Sequence, residues 1–183
     1  MIEQLREKLK HYSPQRIHSK PDVRAAVVMP LYRTEDGYSL ILIRRTSSVK
    51  SHPGEVSFPG GMFELTDGDS RTTALRECCE EIGVRQEDVE VIGRLDDERT
   101  LTGFVITPFV GIIPFPYPFS LSESEVAYLI HLPLGFLATT EPMIEQVKYD
   151  GEIKGIHALY YRGERIWGAT CRLLIKLKTM IGP

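Results

Sequence analysis

The chain has 183 residues, 42% of them hydrophobic and 26% charged, a make-up and length that fit one globular domain able to bury a core without covalent staples. Its net charge of −3 argues against general binding to nucleic acid or an anionic membrane, so an anionic partner has to be met by a local basic patch or a metal. No run approaches the roughly 18 apolar residues of a membrane span, and the charged start MIEQLREKLKHYSPQ lacks the apolar core of a signal peptide, so the expected compartment is the cytoplasm.

Residues 1–20 are expected to form a helical extension, with Ile2, Leu5 and Leu9 at helical spacing and a stop at Pro14. RAAVVMPLY and YSLILIRRT are β-rich runs around RTEDG, where Asp36-Gly37 signals a hairpin turn. SHPGEVSFPGGMFELTDGDS reads as a loop with a short strand at Val56 to Phe58, and a helix follows it. VEVIGRLDD and VITPFVGIIPF are further strands joined by the polar connection DERTLTG. EVAYLIHLPLGFLA reads as a strand running through Pro133 into a brief helical turn. KGIHALYY and RIWG form a last hairpin across Arg162-Gly163, and GATCRLLIKLKTM is a terminal helix with Cys171, Leu174, Ile175 and Lys178 at helical spacing. Strands surround two well-separated helices without regular strand-helix alternation, so the expected fold class is α/β, a mixed β-sheet sandwiched between α-helices. Cys78 and Cys79 are neighbours and Cys171 is distant, which fits neither a disulfide framework nor a zinc site and predicts reduced, packed thiols.

The helix after the loop, ALRECCEEIGV, carries the densest negative charge. Advancing about 100° per residue from Glu77 puts Glu81 near roughly 40° and Glu80 near about −60°, so the three carboxylates share an arc of roughly 100°. Ala74, Leu75, Cys78, Cys79 and Ile82 fall between roughly 60° and 200°, which places both cysteines in the core. Asp69 or Ser70 suits the helix start and Gly83 its end. Arg76 reaches Glu80 at i+4 and neutralises one carboxylate of three. The rest calls for a divalent cation, and hard oxygen donors on a rigid helix suit Mg²⁺ or Mn²⁺. The alternative is a solvated acidic face. Gly60-Gly61, which lets backbone approach a ligand, and Asp67, a further carboxylate, favour the cation.

Gly61, Asp67, Arg76, Glu77, Glu80, Glu81 and Gly83 resemble the Nudix box, whose usual form is G-x5-E-x7-R-E-U-x-E-E-x-G-U with U a bulky aliphatic. Cys78 stands at the first U of the helical block and Val84 at the last; Asp67 stands for the first glutamate, and one extra residue precedes Arg76. The resemblance implies a Nudix hydrolase domain over 1–183 that cuts the pyrophosphate of a nucleoside diphosphate linked to another group. It implies Glu77, Glu80, Glu81 and the Gly61 carbonyl as metal ligands, Arg76 as the residue that orients them, and Glu80 or Glu81 in catalysis, with Glu80 favoured as general base. Glu98 and Glu125, outside the box, are alternative bases.

LILIRRTSSVKSHPGEVSFPGG, residues 40–61, resembles the signature of the coenzyme A pyrophosphatase branch: roughly L-L-T-x-R-S, four residues to an arginine, then x-H-x-G-x-V-x-F-P-G-G. Arg45, His52, Gly54, Val56, Phe58, Pro59, Gly60 and Gly61 match in register; Ile43, Thr46 and Lys50 replace threonine, serine and the second arginine. The lysine keeps the charge and loses the bidentate fork. The resemblance implies coenzyme A or an acyl derivative as small-molecule substrate, with Arg45, Lys50, His52 and Gly60 contacting it, and is compatible with a homodimer. Arg44 should point to the opposite face of its strand. Phe104 and Tyr128 are core aromatics that could also meet the substrate, and His131 and His157 are expected to be structural. The rival readings are a Nudix hydrolase of NADH or ADP-ribose and a Nudix-fold binding module without catalysis; the intact Arg76, Glu77, Glu80 and Glu81 argue against the last.

Overall fold

The computed structural model describes residues 1–18, 23–49 and 51–182. The N-terminal helix α1 (Ile2–His11) precedes the hairpin of β1 (Val23–Thr34) and β2 (Gly37–Arg45). Its turn residues are Glu35 and Asp36, and Gly37 already pairs with Thr34. Then come β3 (Val56–Ser57), β4 (Gly60–Met62), α2 (Ser70–Ile82), β5 (Glu90–Arg94), β6 (Glu98–Arg99) and β7 (Phe104–Ile112). The chain closes with β8 (Val126–Pro133), α3 (Leu134–Thr139), β9 (Met143–Tyr149), β10 (Glu152–Tyr161), β11 (Glu164–Trp167) and α4 (Gly168–Ile181).

The large sheet runs β3-β2-β1-β7-β5, with β4 beside β1, β6 beside β7 and β8 beside β2; β9, β10 and β11 form a smaller sheet. β1 and β7 are parallel and the other described pairs antiparallel, so the large sheet is mixed as expected. Both faces are covered because β1 and β2 are apolar at successive positions. Ala26, Val28, Ile41 and Ile43 pack with Ala74, Cys78 and Ile82 of α2. Met29, Leu31, Leu40 and Leu42 face the other way, onto Leu5 and Leu9 of α1, Leu134 and Leu137 of α3, and Leu174 and Leu177 of α4. The buried seam of α4 therefore passes through Leu177 rather than Lys178, whose ammonium instead reaches Glu141.

Two features shape the site. First, one edge of β1 is shared: β2 pairs with Leu31–Thr34 and β4 with Ala25–Val27. The sheet forks there, the loop before Gly60 enters the gap, and Val28 N–H donates to Pro59 O at 2.9 Å. The expected loop thus contains a strand, β4. Second, a bulge between Arg44 and Arg45 breaks the β2–β8 register, and such bulges re-aim side chains. Outside the site, the connection DERTLTG contains β6, and β9 joins β10 through Asp150 and Gly151, both at positive φ.

Gly60 has φ +153°, and a Cβ there would stand 2.3 Å from Ala26 O. Gly60→Ala is therefore expected to part β4 from β1 and to cost roughly 3 kcal/mol or more, read as a lowered urea midpoint.

Candidate active site

α2 starts where Asp69 accepts from Thr72 N–H at 2.8 Å and ends at Gly83 in the left-handed conformation. Its apolar stripe is narrower than the angular count predicts. Cys78 is buried, but Cys79 is only half-buried, while Glu81 is 1% exposed. The reason lies in the count: Glu81, at roughly 40°, borders the apolar sector, and the forked sheet provides polar partners for it there. Gly60 N–H donates to Glu81 Oε2 at 2.8 Å and Arg45 Nη1 to Oε1 at 3.2 Å.

The three glutamates consequently diverge. Glu77 lies over Gly61, where a Cβ would meet its carboxylate at 2.3 to 2.5 Å, so a side chain there would push the Glu77 carboxylate away from its present place. Glu80 is largely exposed and accepts from Arg76 at 3.1 Å. Arg76 does more than neutralise that one residue: it also donates to Glu77 Oε1 at 3.0 Å, to Met62 O at 3.3 Å, and to both oxygens of Asp67 at 2.8 and 3.1 Å.

Asp67 is buried and also accepts from Glu64 N–H at 3.0 Å and Thr73 Oγ1 at 2.8 Å. It stands at the end of a short 3₁₀ turn, Leu65–Asp67, and the extra residue falls after that turn, between Asp67 and Arg76. Its place ahead of the helix was visible in the sequence; the anchoring of Arg76 was not.

These contacts separate the acidities. The Arg76 guanidinium, the Glu64 amide and Thr73 hold Asp67 well below the usual carboxylate range. Burial raises Glu77, against the pull of Arg76 and with help from the charges of Glu80 and Glu125. Burial lifts Glu81 to about 8, against the Gly60 amide and Arg45 and with help from Glu77 and Glu125. Among the described residues no three carboxylate, imidazole or thiol groups already stand close enough to enclose a metal ion. The donor set nevertheless fits a hard divalent cation: the buried Glu81 and the half-buried Glu77 flank a glycine strand whose backbone approaches Glu77 without a side chain between.

The residues ahead of the box divide as follows. Arg45 faces α2, whereas Arg44 points to the opposite face and donates to Glu164 at 2.9 Å. His52, with φ +53°, shares a proton with Glu55 at 3.0 Å; this bond raises its pKa, opposed by burial and by the charge of Arg45. The Gly60 N–H is committed to Glu81. Lys50 lies outside the described residues.

The alternative bases separate as well. Glu98 is held by Arg172 at 2.6 Å and Lys176 at 2.8 Å, on the α4 face, away from the box; the pairing makes it structural. Glu125 stays within electrostatic reach of Glu77 and Glu81. Tyr128 is exposed rather than core and donates to Glu164 at 2.6 Å, while Phe104 is half-buried. His131 meets Tyr32 OH at 2.6 Å, and His157 Nδ1 is buried without a partner among the described residues.

The model of the NUDIX domain matches residues 22–157, which include every residue of this site. The chain belongs to the Nudix family. It is a Nudix hydrolase, a pyrophosphatase acting on phosphoanhydrides. A protein described as "uncharacterized Nudix hydrolase NudL" from Enterobacter sp. (strain 638) is 37% identical over 162 residues, spanning 87% of this chain and 83% of that protein. Among solved structures, a MutT/nudix family protein from Enterococcus faecalis superposes with TM-score 0.56 at 16% identity, covering 96% of this chain and 67% of that one. A Caenorhabditis elegans (C. elegans) Ap4A hydrolase binary complex gives TM-score 0.52 at 17% identity, covering 62% and 81%. Both structures share the fold of this Nudix hydrolase. Among the described residues no helix is long and apolar enough to cross a membrane.

The raised Glu81 has a consequence for stability. Its folded value, about 8 against an ordinary 4.5, means that the folded state holds this proton more tightly than the unfolded chain. That contribution is complete below about pH 4.5 and is lost as pH rises to about 8. Asp67, held low, titrates below this window. Unfolding free energy of the hydrolase should fall by on the order of 2–4 kcal/mol between pH 5 and pH 8.5 from this group. Urea titrations of Glu81→Gln should show that part of the slope removed; an unchanged slope would place the proton elsewhere.

Proposed function

We propose that this Nudix hydrolase cleaves the diphosphate of coenzyme A or an acyl derivative, giving 4′-phosphopantetheine or its acyl form and adenosine 3′,5′-bisphosphate, with Mg²⁺ or Mn²⁺ as cofactor. The observation that carries the reading is the contact between the two sequence blocks: Arg45, from the coenzyme A-type signature, hydrogen-bonds Glu81 of the Nudix box at 3.2 Å. A cationic residue matched to that substrate branch thus stands beside the box, which supports this substrate.

Glu77, Glu80, Glu81 and the Gly61 carbonyl are the ligands in this reading. Mg²⁺ or Mn²⁺ held there would neutralise the diphosphate and acidify the attacking water. Arg76, fixed by Asp67, orients Glu77 and Glu80. Glu80, the most exposed of the three with a side chain 57% accessible, is free to turn toward a water and accept its proton, which fits it as general base. Arg45 and Lys50 supply positive charge to the phosphates, and His52 joins them from the loop. His52 holds its proton more firmly because of Glu55, which favours contact with an anion near neutral pH.

The test is incubation with coenzyme A beside dephospho-coenzyme A, NADH and ADP-ribose, with either metal, and identification of products by mass. Adenosine 3′,5′-bisphosphate should appear from coenzyme A, with kcat/KM for dephospho-coenzyme A lower by about tenfold or more, the scale of one lost charged contact. Glu80→Gln should lower kcat by roughly a hundredfold or more. Turnover restricted to NADH or ADP-ribose would overturn the substrate, and turnover of none would favour the binding module.

A further inference from the structure

The cations around the acidic helix are held with very different firmness. Arg76 donates to both oxygens of buried Asp67, to Glu77, to Glu80 and to the Met62 carbonyl. Arg45, in contrast, makes one side-chain hydrogen bond among the described residues, to Glu81 Oε1 at 3.2 Å. Its Nε is buried and finds no partner among the described residues, an arrangement that favours neither the group nor its present position. The other Glu81 oxygen is fixed by the Gly60 N–H at 2.8 Å, so Glu81 remains anchored if Arg45 leaves.

We propose that Arg45 is a displaceable counter-ion of Glu81: a divalent cation and the guanidinium compete for Glu81 Oε1, and the released guanidinium turns to the diphosphate of the substrate. This rests on the metal-dependent reading above and adds a coupling to it. Arg45 keeps a buried carboxylate paired until a stronger cation arrives, since leaving one charge of such a pair alone is costly. After the exchange its planar fork suits a phosphate better than the single contact it gave up. Metal and diphosphate should then assist each other's binding by the same factor. Arg76 takes no part in the exchange, because Asp67 retains it.

Two measurements that do not depend on turnover test this. Mn²⁺ binding is followed by calorimetry on the full chain, alone and with methylenediphosphonate as diphosphate probe, for wild type, Arg45→Met and Arg45→Lys. Arg45→Met should bind Mn²⁺ alone about fivefold or more tightly than wild type, with the mutual enhancement between Mn²⁺ and the probe reduced by a similar factor. Arg45→Lys, which keeps the charge, should stay near wild type for Mn²⁺. The second measurement needs no folded variant: in wild type, the NMR signal of the Arg45 Nε–H should shift on saturation with Mg²⁺, while that of Arg76 stays in place. Equal or weaker Mn²⁺ binding by Arg45→Met, like behaviour of both variants, or an unmoved Arg45 signal under saturating Mg²⁺ overturns the exchange. Wild type that binds neither metal would remove the active-site reading as well, whereas metal binding with hydrolysis and an unmoved Arg45 would remove only this inference.

Discussion

The site depends on one buried carboxyl group. Glu81 is 1% exposed, and a carboxylate in that position is tolerable only where donors meet it. The forked edge of β1 supplies them: by letting β4 in beside Ala25–Val27, it presents the Gly60 N–H to one oxygen, and the end of β2 brings Arg45 to the other. Backbone topology, glycine content and helix position are therefore consequences of the same requirement. Glycine is needed at 60 because that position touches β1 backbone, and at 61 it keeps the Glu77 carboxylate where it lies. α2 is further fixed from its far end, where Ser120 and Ser122 donate to the carbonyls of Ile82 and Glu81.

Around that carboxyl group the glutamates are graded. Glu81 is buried, Glu77 is 17% accessible at its side chain and Glu80 57%. Three identical carboxylates thereby acquire different properties, since burial disfavours ionisation and exposure leaves a group free to move and to exchange protons. Asp67 completes the gradation at the opposite extreme: it is buried yet fully paired, and it acts by holding Arg76 rather than by meeting a ligand. That explains why aspartate suffices at a position where the family pattern has glutamate. The shorter side chain, at the end of the 3₁₀ turn, still accepts two hydrogen bonds from Arg76.

Much of the fold was legible because its strands and helices are local patterns. The hairpin of β1 and β2, the caps of α2 and the turn at Arg162-Gly163 follow from apolar runs bounded by residues with known turn preferences. β4 was hidden, since Gly60–Met62 has no β-rich side chains and exists as a strand only because β1 leaves an edge open for it. β9 was hidden differently: MIEQVKY alternates weakly, although Asp150-Gly151 after it was a usable hairpin signal. In the site, spacing identified Glu77, Glu80 and Glu81 but not their directions. A helical angle of roughly 40° for Glu81 is compatible with either solvent or core, and only the sheet's fork decides. The opposite facing of Arg44, toward Glu164, and Arg45, toward Glu81, was legible from strand alternation, whereas the bulge between them has no local sequence mark.

The distribution of cations over the rest of the molecule argues for the same centre. On the α4 face, Glu98 is held by both Arg172 and Lys176, and Asp97 by Arg94 with Thr107. Those carboxylates brace the sheet edge against α4 and the segment after α1, and their charge is locally met. On the α2 face the balance is different: one arginine is shared by Asp67, Glu77 and Glu80, and a second reaches Glu81 through a single contact. Structural ion pairs gain from complete neutralisation, because an unmet buried charge costs several kcal/mol, about 3–5 when one partner is removed. The fold thus pairs Glu98 with two cations, whereas Glu77 and Glu80 share one arginine with Asp67 beside the glycine strand.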